Sequence, residues 1–223
     1  LDGPALPEPD REAAHERAPE QMARLLRESA EPLTIVATAP LTNVAALLLA
    51  HPELKANIAG ISLMGGGLAH GNWTPAAEFN ILADPEAADV VFRSGLPITM
   101  AGLDVTEQAW FSPEEFAALP DTPVGRFARA ATAGPMQKNM ARGAGGLCLH
   151  DVCPVLYLTH PELFTGRQAG VHVETRGTVT YAKTVTDLDS DAKFPERNVF
   201  VVLGVDRAGF AAHITEALRG YAG

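Results

Sequence analysis

The stretch LTIVATAPLTNVAALLLAHPELKANIAGISLMGGG, residues 33–67, decides the fold. Its first part, Leu33–Thr38, is a short apolar run rich in β-branched residues, which is typical of a buried strand. In Leu41–Ala50 the apolar residues recur three and four positions apart, which predicts a helix. Ile58–Met64 is a second strand-like run that leads directly into three glycines. The stretch therefore predicts a strand, a crossover helix and a second, parallel strand.

Strands and helices continue to alternate beyond this stretch. Further strands are predicted at Leu96–Ala101, Val171–Glu174, Thr178–Val185 and Val199–Leu203. Further helices are predicted after Asp84 and after Ser112, at about Val124–Arg142, broken or loosened near Gly134-Pro135, at Asp151–Leu158 and at Asp206–Arg219. This order predicts an α/β fold: a mostly parallel sheet with helices on both faces, in one domain over residues 1–223. Ligands of such sheets bind beyond the carboxyl ends of the strands, here after Thr38, Met64 and Ala101.

Composition narrows the class of partner. The 223 residues carry 17 Lys and Arg against 27 Asp and Glu, a net charge of −10, which argues against nucleic acid or an anionic membrane as partner. No apolar run approaches the roughly 20 residues that span a bilayer, and no signal-peptide pattern opens the chain. Two cysteines suit a reducing compartment. We expect a soluble cytoplasmic protein.

One loop concentrates polar side chains. The segment GNWTPAAEFN, residues 71–80, follows a strand and the three glycines, and it places Asn72, Glu78 and Asn80 within nine residues. Two carboxamides and a carboxylate offer the donors and acceptors that a polyhydroxylated ligand such as a sugar requires. A solvated loop whose Asn residues only form turns is an equally good interpretation of the spacing.

Two further segments could carry chemistry. Asp151 could bind a hard cation and His150 could act as a general acid, although a helix cap and a partly buried histidine are the simpler interpretation. The carbonyl of Thr38, at a strand end, is free to ligate a cation, whereas Thr42 or Asn43 could cap the following helix.

Taken together, these segments resemble the inosine–uridine-preferring nucleoside hydrolase family. The matching segments are VATAPLTN (36–43), LMGGG (63–67), GNWTPAAEFN (71–80), ADPEAA (83–88) and LHD (149–151), in the family's order and spacing. The resemblance implies a Rossmann-like nucleoside hydrolase fold. It also implies hydrolysis of the N-glycosidic bond of small-molecule ribonucleosides to free base and ribose, with bound Ca²⁺, by a protein that is a homo-oligomer when intact.

The resemblance also implies a role for each matching residue. The Thr38 carbonyl and the Asp151 carboxylate would ligate Ca²⁺, and His150 would protonate the departing base. The remaining candidates would form the substrate pocket: Asn72, Glu78 and Asn80 would hold the ribose hydroxyls, and Met64 and Phe79 would line it.

The sequence departs from the family at one important place. Family members open with an Asp-x-Asp-x-Gly-x-Asp-Asp cluster that supplies most Ca²⁺ ligands and the base that activates water, and this cluster is absent here. We therefore expect that the N-terminal strands of the family are missing, that the sheet has an uncovered edge prone to association, and that these 223 residues alone are inactive. The segment Ala133–Arg142 also lacks a tyrosine that many relatives carry near the base, so base preference stays open.

Two alternatives remain. The chain could be a degenerate relative that keeps the sugar loop as a non-catalytic binding or interaction module, or a hydrolase of a related ribosyl substrate. The coding sequence upstream of Leu1 separates the first from an enzyme, because an acidic cluster there would favour catalysis.

Overall fold

The computed structural model describes Pro9, residues 11–189 and residues 193–221. The strands are β1 (Leu33–Ala37), β2 (Ile58–Met64), β3 (Ile98–Ala101), β4 (Trp110–Phe111), β5 (Leu147–Cys148), β6 (Phe164–Val173), β7 (Thr184–Asp187) and β8 (Val199–Val205). The helices are α1 (Ala18–Glu28), α2 (Thr42–Ala50), α3 (Phe79–Ala83), α4 (Pro85–Phe92), α5 (Leu103–Thr106), α6 (Pro113–Ala117), α7 (Pro123–Ala141), α8 (Val152–Thr159) and α9 (Arg207–Gly220).

Six of the strands form one sheet in the order β1-β2-β3-β8-β6-β7. The first four of these are parallel, and β6 and β7 complete the sheet in antiparallel fashion. β4 and β5 pair separately. The predicted α/β fold with a mostly parallel sheet is confirmed.

Strand β2 shows how both faces of the sheet are covered. Ile61 and Leu63 point to one face and belong to a buried cluster with residues of α1, α2 and α4. Ser62 points to the other face, where its hydroxyl donates to the carbonyl of Pro154 in α8 at 2.8 Å. Alternate side chains of a strand lie on opposite faces, so residues 61–64 of β2 are buried on both sides, and the one polar side chain among them, Ser62, is hydrogen-bonded.

Capping residues fix several helix starts. Asp84 accepts from the backbone N–H of Ala87, and Ser112 forms the predicted capping box with Glu115. The predicted cap of α2 is wrong, because no side chain caps that helix. The hydroxyl of Thr42 instead donates to Asp84 at 2.5 Å, which ties α2 to α4.

The predicted break near Gly134-Pro135 is wrong, since α7 continues through Pro135 to Ala141. Proline removes the hydrogen bond to the carbonyl four residues earlier, that of Ala131. Ala131 is exposed, so its carbonyl is accessible to solvent. An exposed helix thus tolerates the proline.

The strand predicted at Thr178–Val185 is shorter and later. Residues 178–182 form a turn in which Ala182 has a φ of 65°, and β7 starts only at Thr184. The Glu174 carboxylate accepts from the backbone N–H groups of Arg176 and Gly177, which fixes this turn. β-propensity alone therefore mislocated the strand.

Strand β1 forms one edge of the described sheet. The prediction of a buried strand here is wrong, because Leu33 and Val36 are 38% and 41% exposed, whereas β3 and β8 contain no exposed residue. An edge strand with exposed apolar side chains is a site for association. Among the described residues, no helix is long and apolar enough to cross a membrane.

Candidate active site

A cavity of about 520 Å³ lies beyond the carboxyl ends of β1 and β2, beside the start of α8. The structure brings all eight candidate residues to this one cavity, together with a tryptophan: Thr38, Met64, Asn72, Trp73, Glu78, Phe79, Asn80, His150 and Asp151. The sheet explains the convergence, because parallel strands deliver the residues that follow them to the same edge.

Glu78 stands at the centre of one side of the cavity. Its side chain is 3% exposed and caps α3, where one carboxylate oxygen accepts from Asn80 N–H at 2.9 Å. The other oxygen accepts from the N–H groups of Ile81 at 3.2 Å and Gly66 at 3.0 Å. Three backbone donors compensate for the burial of this charge. The carboxylate consequently holds the loop and the glycine turn together.

Asn80 is positioned through Met64. Its amide group donates to the Met64 carbonyl at 3.1 Å and lies 3.3 Å from the Met64 sulfur. Asn80 is 8% exposed and forms part of the cavity lining. The strand end and α3 thereby fix its carboxamide, whose remaining hydrogen-bonding capacity is available to a ligand.

The loop that precedes Glu78 is held by its own hydrogen bonds. The backbone of Gly71 donates to Pro75 and that of Trp73 to Ala77, at 3.1 and 3.2 Å. Asn72 accepts from Phe79 N–H through its side-chain oxygen at 3.0 Å, and among the described residues its NH₂ group has no hydrogen-bond partner. These hydrogen bonds join the two ends of the loop, while Asn72 and Trp73 stay exposed.

Two aromatic residues of the loop form the open rim. Trp73 and Phe79 are 68% and 46% exposed, and their ring centroids lie 5.2 Å apart at 60°. Exposed aromatic pairs beside polar groups are typical of binding sites. Sequence reasoning missed Trp73 as a lining residue, although its place within the loop between Asn72 and Glu78 was the available signal.

The three glycines after β2 make the turn behind the loop. Gly66 has a φ of 77°, which favours glycine, and a Cβ there would lie 2.8 Å from the Thr184 side chain. Thr184 accepts from Gly67 N–H at 3.0 Å, and Lys183 donates to the Gly67 carbonyl at 2.9 Å. Strand β7 thus braces the turn, and we name Gly65–Gly67 with residues 71–80 the loop side of the cavity.

His150 lies opposite, on what we name the His-Asp side, formed by Thr38, His150 and Asp151. The His150 Nδ1 is 2.8 Å from the hydroxyl of Thr106 in α5. Burial lowers the pKa of the His150 imidazole, and the neighbouring carboxylates, first that of Asp151, oppose this effect. The neutral ring is favoured at neutral pH. Thr106 is a site residue that sequence reasoning missed, because 44 residues separate it from His150.

Asp151 occupies the N-cap position of α8, yet its side chain makes no capping hydrogen bond. Partial burial raises the pKa of the Asp151 carboxyl, which is the direction for an anion that its surroundings stabilise poorly, and His150 partly opposes it. A divalent cation beside this carboxylate would offset that cost. Asp151 and Thr38, which directly follows β1, line the same cavity, so a carboxylate and a strand-end carbonyl are available there to a cation.

The sequence and structural comparisons identify the family. A sequence model described as "Inosine-uridine preferring nucleoside hydrolase" matches residues 1–212. The chain belongs to this family. It is 47% identical over 230 residues to the pyrimidine-specific ribonucleoside hydrolase RihA of Escherichia coli K12, covering 100% of this chain and 72% of RihA. The RihA of Salmonella typhimurium is equally similar, with the same coverage.

Solved structures agree. The purine-preferring ribonucleoside hydrolase from Gardnerella vaginalis has a TM-score of 0.88 and 35% identity, over 97% of this chain and 69% of that one. The expected fold and the expectation that the chain is a nucleoside hydrolase are therefore confirmed. The roles proposed for the individual site residues rest on the geometry of the cavity.

Proposed function

We propose that the cavity binds a ribonucleoside and hydrolyses its N-glycosidic bond, with a divalent cation at Asp151. The supporting observation is that the polar residues of the loop side and the His-Asp side face one cavity of nucleoside size. Water adds to the anomeric carbon of ribose, the bond from this carbon to the base nitrogen breaks, and the base takes up a proton. Each side supplies a different part of this reaction.

The loop side would hold the sugar. The NH₂ group of Asn72 donates to a ribose hydroxyl, and the carboxamide of Asn80 offers a further hydrogen bond deeper in the cavity. The Glu78 carboxylate already accepts hydrogen bonds from three backbone N–H groups, so its main contribution is to fix the positions of these two residues. Met64 and Phe79 line the pocket.

The His-Asp side would hold the cation and the proton donor. Bound Ca²⁺ would polarise a water molecule and the ribose diol, with Asp151 and the Thr38 carbonyl as ligands. His150 Nδ1 shares a hydrogen bond with the Thr106 hydroxyl, and in the tautomer in which that hydroxyl donates, Nε2–H can hydrogen-bond the departing base. The proton that the base takes up is the one that the attacking water releases.

The number of ligands limits what these residues achieve alone. Ca²⁺ takes about six to eight oxygens, whereas Thr38 and Asp151 provide few. We therefore predict weak Ca²⁺ binding and background ribose release for the 223-residue chain. The same shortage, together with the largely satisfied Glu78, favours a non-catalytic ribose-binding module as the second candidate function.

An assay of reducing sugar separates the two candidates. The relatives differ in base, pyrimidine for RihA and purine for the Gardnerella enzyme, so both uridine and inosine are needed as substrates. In the protein expressed from its complete coding sequence we expect Ca²⁺-dependent ribose release that Asp151→Ala lowers at least about tenfold. No release from either nucleoside, with binding retained, would support the binding module. Clear turnover by the 223 residues alone would contradict the ligand argument.

A further inference from the structure

Three side chains with metal-ligating atoms meet at the far end of α8, away from the cavity. His160 is the C-cap residue of α8, Glu162 lies in the 3-10 turn Pro161–Leu163, and His213 lies in α9. Their ligand atoms all lie within 4.8 Å of one another. The His160 Nδ1 is 3.2 Å from Glu162 Oε1, and the two imidazole rings stack with centroids 3.8 Å apart.

We propose that His160, Glu162 and His213 bind a divalent first-row transition-metal ion, with Zn²⁺ as the preferred ion. Two imidazoles and one carboxylate form a mixed nitrogen and oxygen ligand set that suits Zn²⁺ and its neighbours in the series. Ca²⁺ and Mg²⁺ prefer oxygen ligands throughout. This site is separate from the proposed ribonucleoside site and independent of it.

Side-chain rotation alone completes the geometry. Bonds of about 2.0–2.2 Å around a tetrahedral Zn²⁺ place its ligand atoms roughly 3.4 Å apart. In the structure, the ligand atoms of the three side chains lie within 4.8 Å of one another. Each imidazole directs its lone pair within its own plane, so at least one ring must turn out of the stack. His160 and His213 are half-buried and Glu162 is exposed, which leaves room for rotation and entry of the ion. A water molecule would take the fourth position.

The backbone that carries the three ligands is already fixed. The carbonyl of Leu163 accepts from Asp206 N–H at 2.7 Å, next to the start of α9. Leu163 and Phe210 belong to one buried cluster. At Gly209 an added Cβ would lie 2.6 Å from the Leu163 side chain, so turn and helix are in close contact. Binding therefore costs little ordering of the chain.

The chain contains a second turn with the same four-residue sequence but a different third group beside it. HPEL occurs at 51–54 and at 160–163, and both histidines are C-cap residues with similar backbone angles, φ −133° and −139°. At the first turn the third group is the Arg27 guanidinium, 3.0 Å from His51 Nδ1 and 3.3 Å from Glu53. A fixed cation there excludes a metal ion, whereas His213 at the second turn adds a ligand.

The test is calorimetric titration of ZnCl₂ into the untagged, EDTA-treated chain. We expect one Zn²⁺ per chain whose affinity falls at least about tenfold in His213→Ala, since even outer-shell changes cost that much. Glu162→Gln, in an exposed turn, is the second variant and should show the same loss. Co²⁺ should give the visible absorption of a tetrahedral site, and His213→Ala should remove it.

Two control variants locate the ion. His51→Ala removes the matched histidine of the other HPEL turn, and Asp151→Ala removes the acid of the candidate active site. Both should bind Zn²⁺ as the unsubstituted chain does. Unchanged affinity in His213→Ala and Glu162→Gln, or binding that disappears with Asp151→Ala, would overturn the proposal.

Discussion

The two sides of the cavity differ in how far their polar side chains are hydrogen-bonded within the protein. On the loop side, the polar groups are largely committed to the protein: Glu78 accepts from three backbone N–H groups, and Asn72 and Asn80 each bond to the backbone. On the His-Asp side, Asp151 caps nothing and its pKa is raised. The contrast teaches that the loop side contributes to stability as well as to binding, whereas partial burial disfavours the anionic form of Asp151 on the His-Asp side.

Glu78→Gln is expected to have the largest effect on the stability of the loop side. The amide has one oxygen in place of two and must turn its NH₂ toward backbone donors, so we expect a loss of about 3 kcal/mol in the free energy of unfolding. Urea denaturation measures it, with exposed Glu31→Gln as the control that should change nothing. A loss below about 0.5 kcal/mol would show that Glu78 does not hold the loop side together.

Gly66→Ala should destabilise by about 2 kcal/mol or more, because it combines a φ of 77° with a clash against Thr184. Gly95→Ala is a matched control, since Gly95 has a φ of 78° and open space around it. It should cost only the conformational part, about 1 kcal/mol. Equal losses for the two variants would mean that Thr184 does not brace the glycine turn.

Asp151→Asn should leave the free energy of unfolding within about 0.5 kcal/mol of the unsubstituted chain, or raise it. The sign follows from the pKa: a carboxyl whose pKa is raised in the folded state is worse stabilised there as an anion, so removing its charge at neutral pH does no harm. Thermal unfolding in EDTA checks this. A clear loss of stability would place Asp151 with the structural residues of the loop side.

The smallest effect concerns the cysteines on either side of Asp151. Burial raises the pKa of Cys153, in the first turn of α8, to about 12, so its thiol should be inert to alkylation at pH 8. Cys148 is less buried and should react slowly, and both should react in urea. Labelling followed by mass spectrometry distinguishes them. Rapid native labelling of Cys153 would mean that α8 does not hold the His-Asp side in place.

Much of the fold was accessible from the sequence because strands and helices here are strongly patterned. The apolar run Ile58–Met64 and the capping box at Ser112 were read correctly. Pattern failed where tertiary contacts decide, as at Pro135 inside α7 and at the turn before Thr184. It also missed the short helix α3, whose cap, Glu78, is recognised only once its backbone partners are known.

The candidate site shows the same division. Its eight residues were found through the segments that resemble the nucleoside hydrolase family, and parallel strands bring those that follow β1 and β2 to the same edge of the sheet. Thr106 was missed because only the fold brings it to His150. The different roles of the two sides could not be predicted from the sequence either, because they depend on which polar side-chain atoms are hydrogen-bonded to the backbone.

The central claim is that the two sides act together on one ribonucleoside. A double-mutant cycle of Asn80→Ala and Asp151→Ala tests it most directly, using kcat/KM for uridine and inosine in the protein expressed from its complete coding sequence. We predict a coupling free energy of at least about 1 kcal/mol in kcat/KM and additive effects on the free energy of unfolding. Additive effects on both quantities would contradict the account.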